Sequence, residues 1–406
     1  MKTSFKKIIS LILALSLLLG LVISLSSCSD TLNLFSSVLD KLNGSDNDPD
    51  SPDADEDLTA QRGAFLSSVA IISKFEIEKP SFYPSSNTDT KTLAGSGVIY
   101  KLDKETGDAY IITNYHVVFY ETAIGGPISQ DISVYLYGLE ADVYSLEATY
   151  VGGAFEYDIA VLKISGSELL KQAPVREATL GDSESLRVLD TVIAIGNAEG
   201  EGFSATKGVV SVNSEQLTLD GPDQRTDITV RVIRIDAAIN KGNSGGGLFD
   251  EQGRLIGIVN AKKTGDKVDN IAYAIPINLA KALADNVIYH SDGEFCGAVK
   301  YLFGIRLAEV ELGVGLDENG EIIRTARVAI TAVEEGKSLD QLAEVGDTIL
   351  AITLDGVTHP VTAKHHVTET MLTARPGSTA TLLVERGGET HELTVTVTED
   401  MGVTTD

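Results

Sequence analysis

Short runs of apolar and β-branched residues, separated by glycine-containing turns, recur from residue 60 to 276 and constrain the fold more than any other feature. Two examples are Ile132–Leu136 and Thr191–Ile195, which have the length and composition of β-strands. The runs fall into two halves, roughly 60 to 170 and 175 to 276. Many short strands at close spacing are typical of sandwiches and barrels, so the sequence predicts an all-β fold made of two successive β-barrels.

Three residues within these halves have side chains that could together form an activated serine nucleophile. His116 is the only histidine before residue 285, and Ser244 lies among glycines in Asn240–Leu248. Between them, Asp158 begins an apolar run, so its carboxylate is expected at the start of a strand, where it can hold an imidazole. The order histidine, aspartate, serine is that of the chymotrypsin double barrel. It predicts a catalytic trio of His116, Asp158 and Ser244 in the groove between two barrels.

The glycines around the serine also have a chemical explanation. An oxyanion hole needs backbone N–H groups aimed at one point, which requires unusual backbone angles and leaves no room for side chains. Gly242 and Ser244 can supply these donors, with Asn243 between them. An ordinary flexible turn is the alternative interpretation. An α/β-hydrolase is disfavoured, because the serine follows a loop and not a strand-to-helix turn.

Five segments, in this order, resemble the markers of the HtrA/Deg family of trypsin-like proteases, and the resemblance spans about residues 60 to 400. They are Gly95–Ile99, Thr113–Val118, Asp158–Lys163, Gly242–Gly246 and Ile271–Pro276. The resemblance implies a protease domain at 61–290. In it His116 is the general base, Asp158 orients the imidazole and Ser244 is the nucleophile.

Two further regions are assigned by this resemblance. Leu255–Lys263 is similar to the strand that lines the specificity pocket, and 264–273 to the loop that shapes it. Gly196–Lys207 is similar to the regulatory loop of the family, although it lacks the proline that often follows Gly-Asn there. Gly247 stands where a larger residue is common, and a helix is predicted at Asn278–His290.

Residues 297 to 400 resemble a PDZ domain of the type fused to these proteases. In a PDZ domain a peptide adds to the sheet as a strand, and backbone N–H groups of a loop bind its terminal carboxylate. By resemblance, Phe303, Gly304 and Ile305 form that loop. A small β-sandwich that only spaces or oligomerises the protease is the alternative. His365 and His366 have no third metal ligand near them in the sequence, so we expect surface residues and no metal site.

The N-terminus has the pattern of a bacterial lipoprotein signal peptide at 1–27. Three lysines precede the apolar run Ile8–Leu25, and Cys28 follows where a lipid is attached. An uncleaved membrane-spanning helix is the alternative. The following segment, 28–60, is rich in serine, aspartate and asparagine, and we expect a disordered spacer. Cys296 then has no disulfide partner.

The formal net charge of −27 excludes some partners. A chain this acidic is repelled by nucleic acid and by anionic lipid headgroups. We therefore expect no nucleic-acid partner, and we expect attachment to the membrane only through the lipid on Cys28.

Together these patterns favour an exported, membrane-anchored serine endopeptidase of the cell envelope that needs no cofactor. By resemblance, its substrates are unfolded or misfolded proteins, its PDZ unit binds peptide C-termini and it assembles as a homotrimer. Two alternatives remain from the sequence. One is a non-catalytic peptide-binding sensor or chaperone, and the other is a processing protease with a single substrate.

Overall fold

The computed structural model describes residues 52–79, 88–139, 142–260, 271–291, 295–316 and 322–405. The predicted signal peptide, Cys28 and most of the predicted spacer lie outside these residues. Among the described residues, no helix has both the length and the apolar character needed to cross a membrane.

The described chain is dominated by strands. The α-helices are α1 (Pro52–Gly63), α2 (Tyr115–Val118), α3 (Glu168–Gln172), α4 (Ile277–His290) and α5 (Lys364–Leu372). The strands of the first part are β1 (Ser68–Glu78), β2 (Thr88–Asp103), β3 (Asp108–Thr113), β4 (Asp131–Leu136), β5 (Leu146–Ala154), β6 (Ile159–Ile164), β7 (Thr191–Gly196), β8 (Ser204–Asp220), β9 (Asp227–Ile235), β10 (Gly247–Phe249), β11 (Leu255–Asn260) and β12 (Ala272–Pro276). The later strands are β13 (Val299–Tyr301), β14 (Ile305–Leu316), β15 (Ile322–Val333), β16 (Thr348–Leu354), β17 (Val357–Pro360), β18 (Thr379–Arg386), β19 (Glu389–Thr396) and β20 (Gly402–Thr404). Short 3₁₀-helices lie at Ala64–Ser67, Asp142–Tyr144, Phe155–Tyr157, Ser183–Ser185, Ala198–Gly200 and Glu399–Met401.

Strands β1 to β12 form two closed antiparallel barrels of six strands each, in the orders β1-β2-β3-β6-β5-β4 and β10-β11-β12-β9-β8-β7. The first closes where Val69 lies opposite Leu136, and the second where Gly247 lies opposite Ile195. Closure removes the unpaired edges that an open sheet exposes. The predicted all-β double barrel is therefore confirmed, with one barrel in each half of the segment 60 to 276.

Helix α4 packs against both barrels. Its apolar residues Leu279, Leu283 and Val287 recur every four residues, so they share one helical face, and all three are buried. The helix contacts β5 and β6 of the first barrel and β11 and β12 of the second. It covers the seam between the barrels, and it begins one residue before the predicted helix.

Strands β13 to β20 and helix α5 form a unit with its own core, which includes Val328, Ile349 and Leu382. Its main sheet has the order β14-β15-β16-β18-β19, with β17 paired to β16 and a separate β13-β20 pair. Strand β14 is thus at an edge of the sheet. Helix α5 packs against β14, β16 and α4, and thereby connects this unit to the barrels.

The predicted disordered spacer is wrong in its last part. Residues 52–60 belong to α1, which continues to Gly63. Proline suits the first turn of a helix, where its missing N–H has no partner in any case. The end of the helix is anchored to the second barrel, because Gln61 Nε2 donates a hydrogen bond of 2.9 Å to the carbonyl oxygen of Glu251. Acidic composition alone does not reveal such an anchor.

The structure explains why glycine stands at 247. A Cβ atom there would lie 2.4 Å from the ring of Phe249, which is 1% exposed and belongs to the protease core. In this chain the Phe249 ring fills the space that a larger side chain at 247 would need.

Candidate active site

The first barrel brings His116 and Asp158 together at one end. His116 lies on the one-turn helix α2 directly after β3, and Asp158 lies directly before β6. Because β3 pairs with β6, with Thr113 opposite Ala160, the two side chains become neighbours. Asp158 has a left-handed backbone with φ +54°, which ends the preceding 3₁₀ turn and aims its carboxylate toward the histidine.

The Asp158 carboxylate is fully buried, and hydrogen-bond donors compensate its charge. Its Oδ2 lies 2.7 Å from His116 Nδ1, and its Oδ1 accepts a bond of 3.0 Å from the His116 backbone N–H. The carboxylate therefore holds Nδ1 in its protonated form and leaves Nε2 as the basic atom of the ring. This geometry suits the predicted roles of the two residues.

Asn260 is a further member of the site that sequence reasoning missed. It lies at the end of β11 in the second barrel, and its Nδ2 donates a hydrogen bond of 3.0 Å to Asp158 Oδ2. The side chain is 1% exposed. A carboxylate of the first barrel is thus oriented by an amide of the second. No sequence signal marked this asparagine, which lies within the predicted pocket strand Leu255–Lys263.

Ser244 lies on the loop between β9 and β10 and is 7% exposed. This loop is bonded to the first barrel through Ser96 of β2. The Ser96 N–H donates to the carbonyl oxygen of Ser244 at 2.8 Å, and its Oγ donates to that of Gly242 at 2.7 Å. The serine loop of the second barrel is therefore fixed against the barrel that carries the histidine and aspartate.

The glycine after the serine is required by close packing. Gly245 has φ +83°, and a Cβ atom there would lie 2.2 Å from the carbonyl oxygen of Ser96. Its N–H donates to the carbonyl oxygen of Val259 at 2.9 Å, which joins the loop to β11. The flexible-turn alternative is disfavoured, because the loop is bonded on two sides.

The predicted oxyanion residues occupy a fixed turn. Gly242 has φ +92°, which glycine adopts readily. The N–H of Asn243 donates to the carbonyl oxygen of Asn240 at 3.1 Å, so this group is already used. The role of Gly242 and Ser244 as N–H donors of an oxyanion hole stays a prediction.

The other predicted regions are described in part. Strand β11 is buried along its whole length and has the place predicted for the pocket strand, but residues 261–270 lie outside the described chain. The predicted regulatory loop includes Asn197, whose N–H donates to Ser96 Oγ at 2.8 Å. This segment therefore contacts the same serine that holds the nucleophile loop.

Comparisons with known proteins agree with this geometry. The sequence profile of the trypsin-like peptidase domain matches residues 95–258. The chain is 39% identical to the serine protease Do-like HtrA of Bacillus subtilis (strain 168) over 203 residues, which are 50% of this chain and 41% of that protein. It is 32% identical to the serine protease Do-like HtrA of Lactococcus lactis subsp. cremoris (strain MG1363) over 319 residues, 74% of this chain and 72% of that protein.

The chain is also similar to a solved structure of an HtrA-type protease. The HtrA-type protease AlgW with a tripeptide has 26% sequence identity and a TM-score of 0.53, over 86% of this chain and 97% of that one. The double barrel and the match to the trypsin-like peptidase domain define a trypsin-like serine protease. The similarity over most of the Lactococcus protein is more specific, and the chain belongs to the HtrA family of serine proteases. Its match to the Bacillus relative spans less than half of that protein's length.

Of the three residues of the predicted carboxylate-binding loop, Phe303 and Gly304 lie in the turn between β13 and β14, and Ile305 is the first residue of β14. Gly304 has φ +74°, and its carbonyl oxygen accepts a hydrogen bond of 2.8 Å from the N–H of Glu334. Phe303 is buried in the core of the C-terminal unit, and Ile305 begins the edge strand β14. The turn therefore lies at the start of a strand edge where a peptide can add.

The expectation that His365 and His366 are surface residues without a third ligand nearby is wrong. Both side chains lie beside Glu184 of the second barrel, and their exposed fractions are 12% and 22%. Glu184 lies far from them in the sequence, so no short metal-binding motif indicates this cluster.

We predict that Asp158→Asn lowers kcat by about 10,000-fold, because the amide no longer holds the tautomer in which Nε2 is basic. Asn260→Ala removes one hydrogen bond to a charged group, so a loss of about 10- to 100-fold is expected. Steady-state cleavage of a quenched-fluorescence casein measures both effects. Wild-type rates in Asp158→Asn would rule out the assigned role of Asp158.

Proposed function

We propose that this protein is an endopeptidase of the cell envelope that degrades unfolded or misfolded proteins. The observation that carries the proposal is the linkage of three groups at the junction of the barrels. His116 is held by Asp158 at 2.7 Å, and the loop that carries Ser244 is bonded to the same barrel through Ser96.

The chemical steps follow from this arrangement. His116 Nε2 takes the proton of Ser244 Oγ as that oxygen attacks a peptide carbonyl. The resulting oxyanion accepts hydrogen bonds from the N–H groups of Gly242 and Ser244. His116 then gives the proton to the leaving amine, and an acyl-enzyme remains. Water, deprotonated by His116, releases the acyl group, while Asp158 stays ionised and stabilises the imidazolium.

The preference for unfolded substrates follows from the position of the site between two barrels. A substrate must present an extended segment there, with its backbone N–H and C=O groups free to bond. In a folded protein nearly all of these groups are already paired. An unfolded chain offers many such segments, so cleavage at many sites is expected.

The C-terminal unit is proposed to bind peptide C-termini. The relative AlgW was solved with a tripeptide and with a decapeptide. In this chain β14 is an edge strand that begins at Ile305, Phe303 and Gly304 lie in the turn before it, and α5 packs beside it. A peptide that adds to β14 would direct its carboxylate to this turn.

Location and assembly are further parts of the proposal. The pattern of residues 1–27 followed by Cys28 supports export and a lipid anchor in the membrane. The acidic composition supports the absence of a nucleic-acid partner. Assembly as a homotrimer is proposed from the family resemblance alone.

The first test compares the full chain in detergent with Ser244→Ala, using denatured and native casein and mapping the cut sites by mass spectrometry. We expect many cuts in denatured casein and none with Ser244→Ala, because the variant lacks the nucleophile but keeps the fold. Cuts that persist in Ser244→Ala would contradict the assignment of the nucleophile.

Two other results would favour the alternative functions. Cleavage at a single sequence only would indicate a processing protease. No cleavage by either protein, even with a peptide that has an apolar C-terminus added as activator, would indicate a peptide-binding sensor.

The peptide site is tested by Gly304→Ala. The residue has φ +74°, so alanine strains the turn and redirects its N–H groups. We expect binding of a fluorescent peptide with an apolar C-terminus to weaken at least about 10-fold by anisotropy. The same peptide with an amidated C-terminus should bind weakly to both proteins.

The matched control is Gly356→Ala. Gly356 lies at the turn between β16 and β17, and its φ of +85° is similar to that of Gly304. This variant carries similar backbone strain but lies outside the proposed loop. An equal loss of binding in both variants would show that the effect is only one of stability.

A further inference from the structure

A cluster of two imidazoles and one carboxylate joins the second barrel to the C-terminal unit. Glu184 lies on the 3₁₀ turn Ser183–Ser185, before the barrel strand β7. His365 and His366 lie in the first turn of α5. The cluster is separate from the proteolytic site and from the proposed peptide loop, and neither function uses it.

The ligand atoms of the three residues converge. Glu184 Oε2 lies 3.9 Å from His365 Nε2 and 3.7 Å from His366 Nε2. These separations are too long for hydrogen bonds. All three ligand atoms lie within 4.8 Å of one another. His365 Nε2 is buried and has no hydrogen-bond partner among the described residues, which is costly for a polar atom.

Arg231 of β9 fixes the carboxylate. Its Nη1 lies 2.8 Å from Glu184 Oε1, so the other carboxylate oxygen is left to face the imidazoles. The rest of its guanidinium is bound by Glu369 of α5, through Nε at 2.7 Å and Nη2 at 2.5 Å. One arginine and two glutamates leave a net negative charge beside the two histidines, which favours a cation.

We propose that Glu184, His365 and His366 bind one divalent metal ion of the zinc class, which clamps the C-terminal unit to the second barrel. Zinc binds imidazole nitrogen and carboxylate oxygen at about 2.0–2.1 Å, which places the donors of a tetrahedral site about 3.3–3.4 Å apart. The Glu184 to histidine separations need to close by only about 0.5 Å, and water supplies the fourth ligand. Magnesium and calcium prefer sites made of oxygen ligands alone.

Binding of a metal ion would change one hydrogen bond, which His366 makes with a residue that is not a ligand. The N–H of Thr362 donates to His366 Nδ1 at 3.2 Å, so the neutral ring carries its proton on Nε2. When the metal takes Nε2, this proton moves to Nδ1 and the bond from Thr362 is lost. The neutral ring keeps one proton throughout.

The test titrates Zn²⁺ into the metal-free full chain in detergent, against a chromogenic chelator, and repeats the titration with Co²⁺. We expect one ion per chain, unaffected by excess Mg²⁺, and intense visible absorption bands from tetrahedral Co²⁺. Glu184→Gln and the double variant His365→Gln/His366→Gln should each bind at least about 10-fold more weakly. The double variant leaves the Arg231 ion pairs in place.

His359→Gln is the matched control, since His359 is an exposed residue of β17, and it should bind the ion as the wild type does. Thermal unfolding with and without Zn²⁺ checks that each variant is folded, and the stabilisation should be confined to the wild type and the control. Wild-type affinity in Glu184→Gln, or no binding of one ion per chain, would overturn the proposal. The readout is binding, so it is independent of proteolysis.

Discussion

The bonds made by Ser96 are the constraint on which the active site depends. Its N–H and Oγ hold the carbonyl oxygens of Ser244 and Gly242, and its Oγ accepts from the N–H of Asn197. One fully buried serine of the first barrel thus connects the nucleophile loop with the turn after β7 of the second. Together with the bond from Asn260 to Asp158, it sets the distance between groups that belong to different barrels. Catalysis requires this geometry to be formed before the substrate arrives.

The features that the sequence predicted are those with local signatures. Strand periodicity identified the two barrels, the helix-start signal at Asn278 identified α4, and the order of His116, Asp158 and Ser244 identified the barrel type. Ser96 and Asn260 could not be found in this way, because their partners lie 146 and 102 residues away. Ser96 lies within the family marker Gly95–Ile99, and its contacts with the serine loop give a physical reason for that marker.

Two expectations are wrong, one drawn from composition and the other from neighbours in the sequence. The acidic residues 52–60 were expected to be disordered, yet α1 is anchored by Gln61 on the second barrel. His365 and His366 were expected at the surface, yet the docking of α5 places them beside Glu184. In both cases the missing information was a contact between distant parts of the chain. The second contact matters for function, because α5 is ion-paired to β9 of the second barrel through Glu369 and Arg231, and it also packs against the edge strand where peptides are proposed to bind.

We propose that His116 of one barrel activates Ser244 of the other. Reaction of the full chain with a fluorophosphonate, followed by mass spectrometry of its peptides, tests this role. A single adduct on Ser244 is expected, and it should be lost in His116→Ala because the hydroxyl then has no general base. An adduct on a different serine, or labelling of His116→Ala at the wild-type rate, would contradict it.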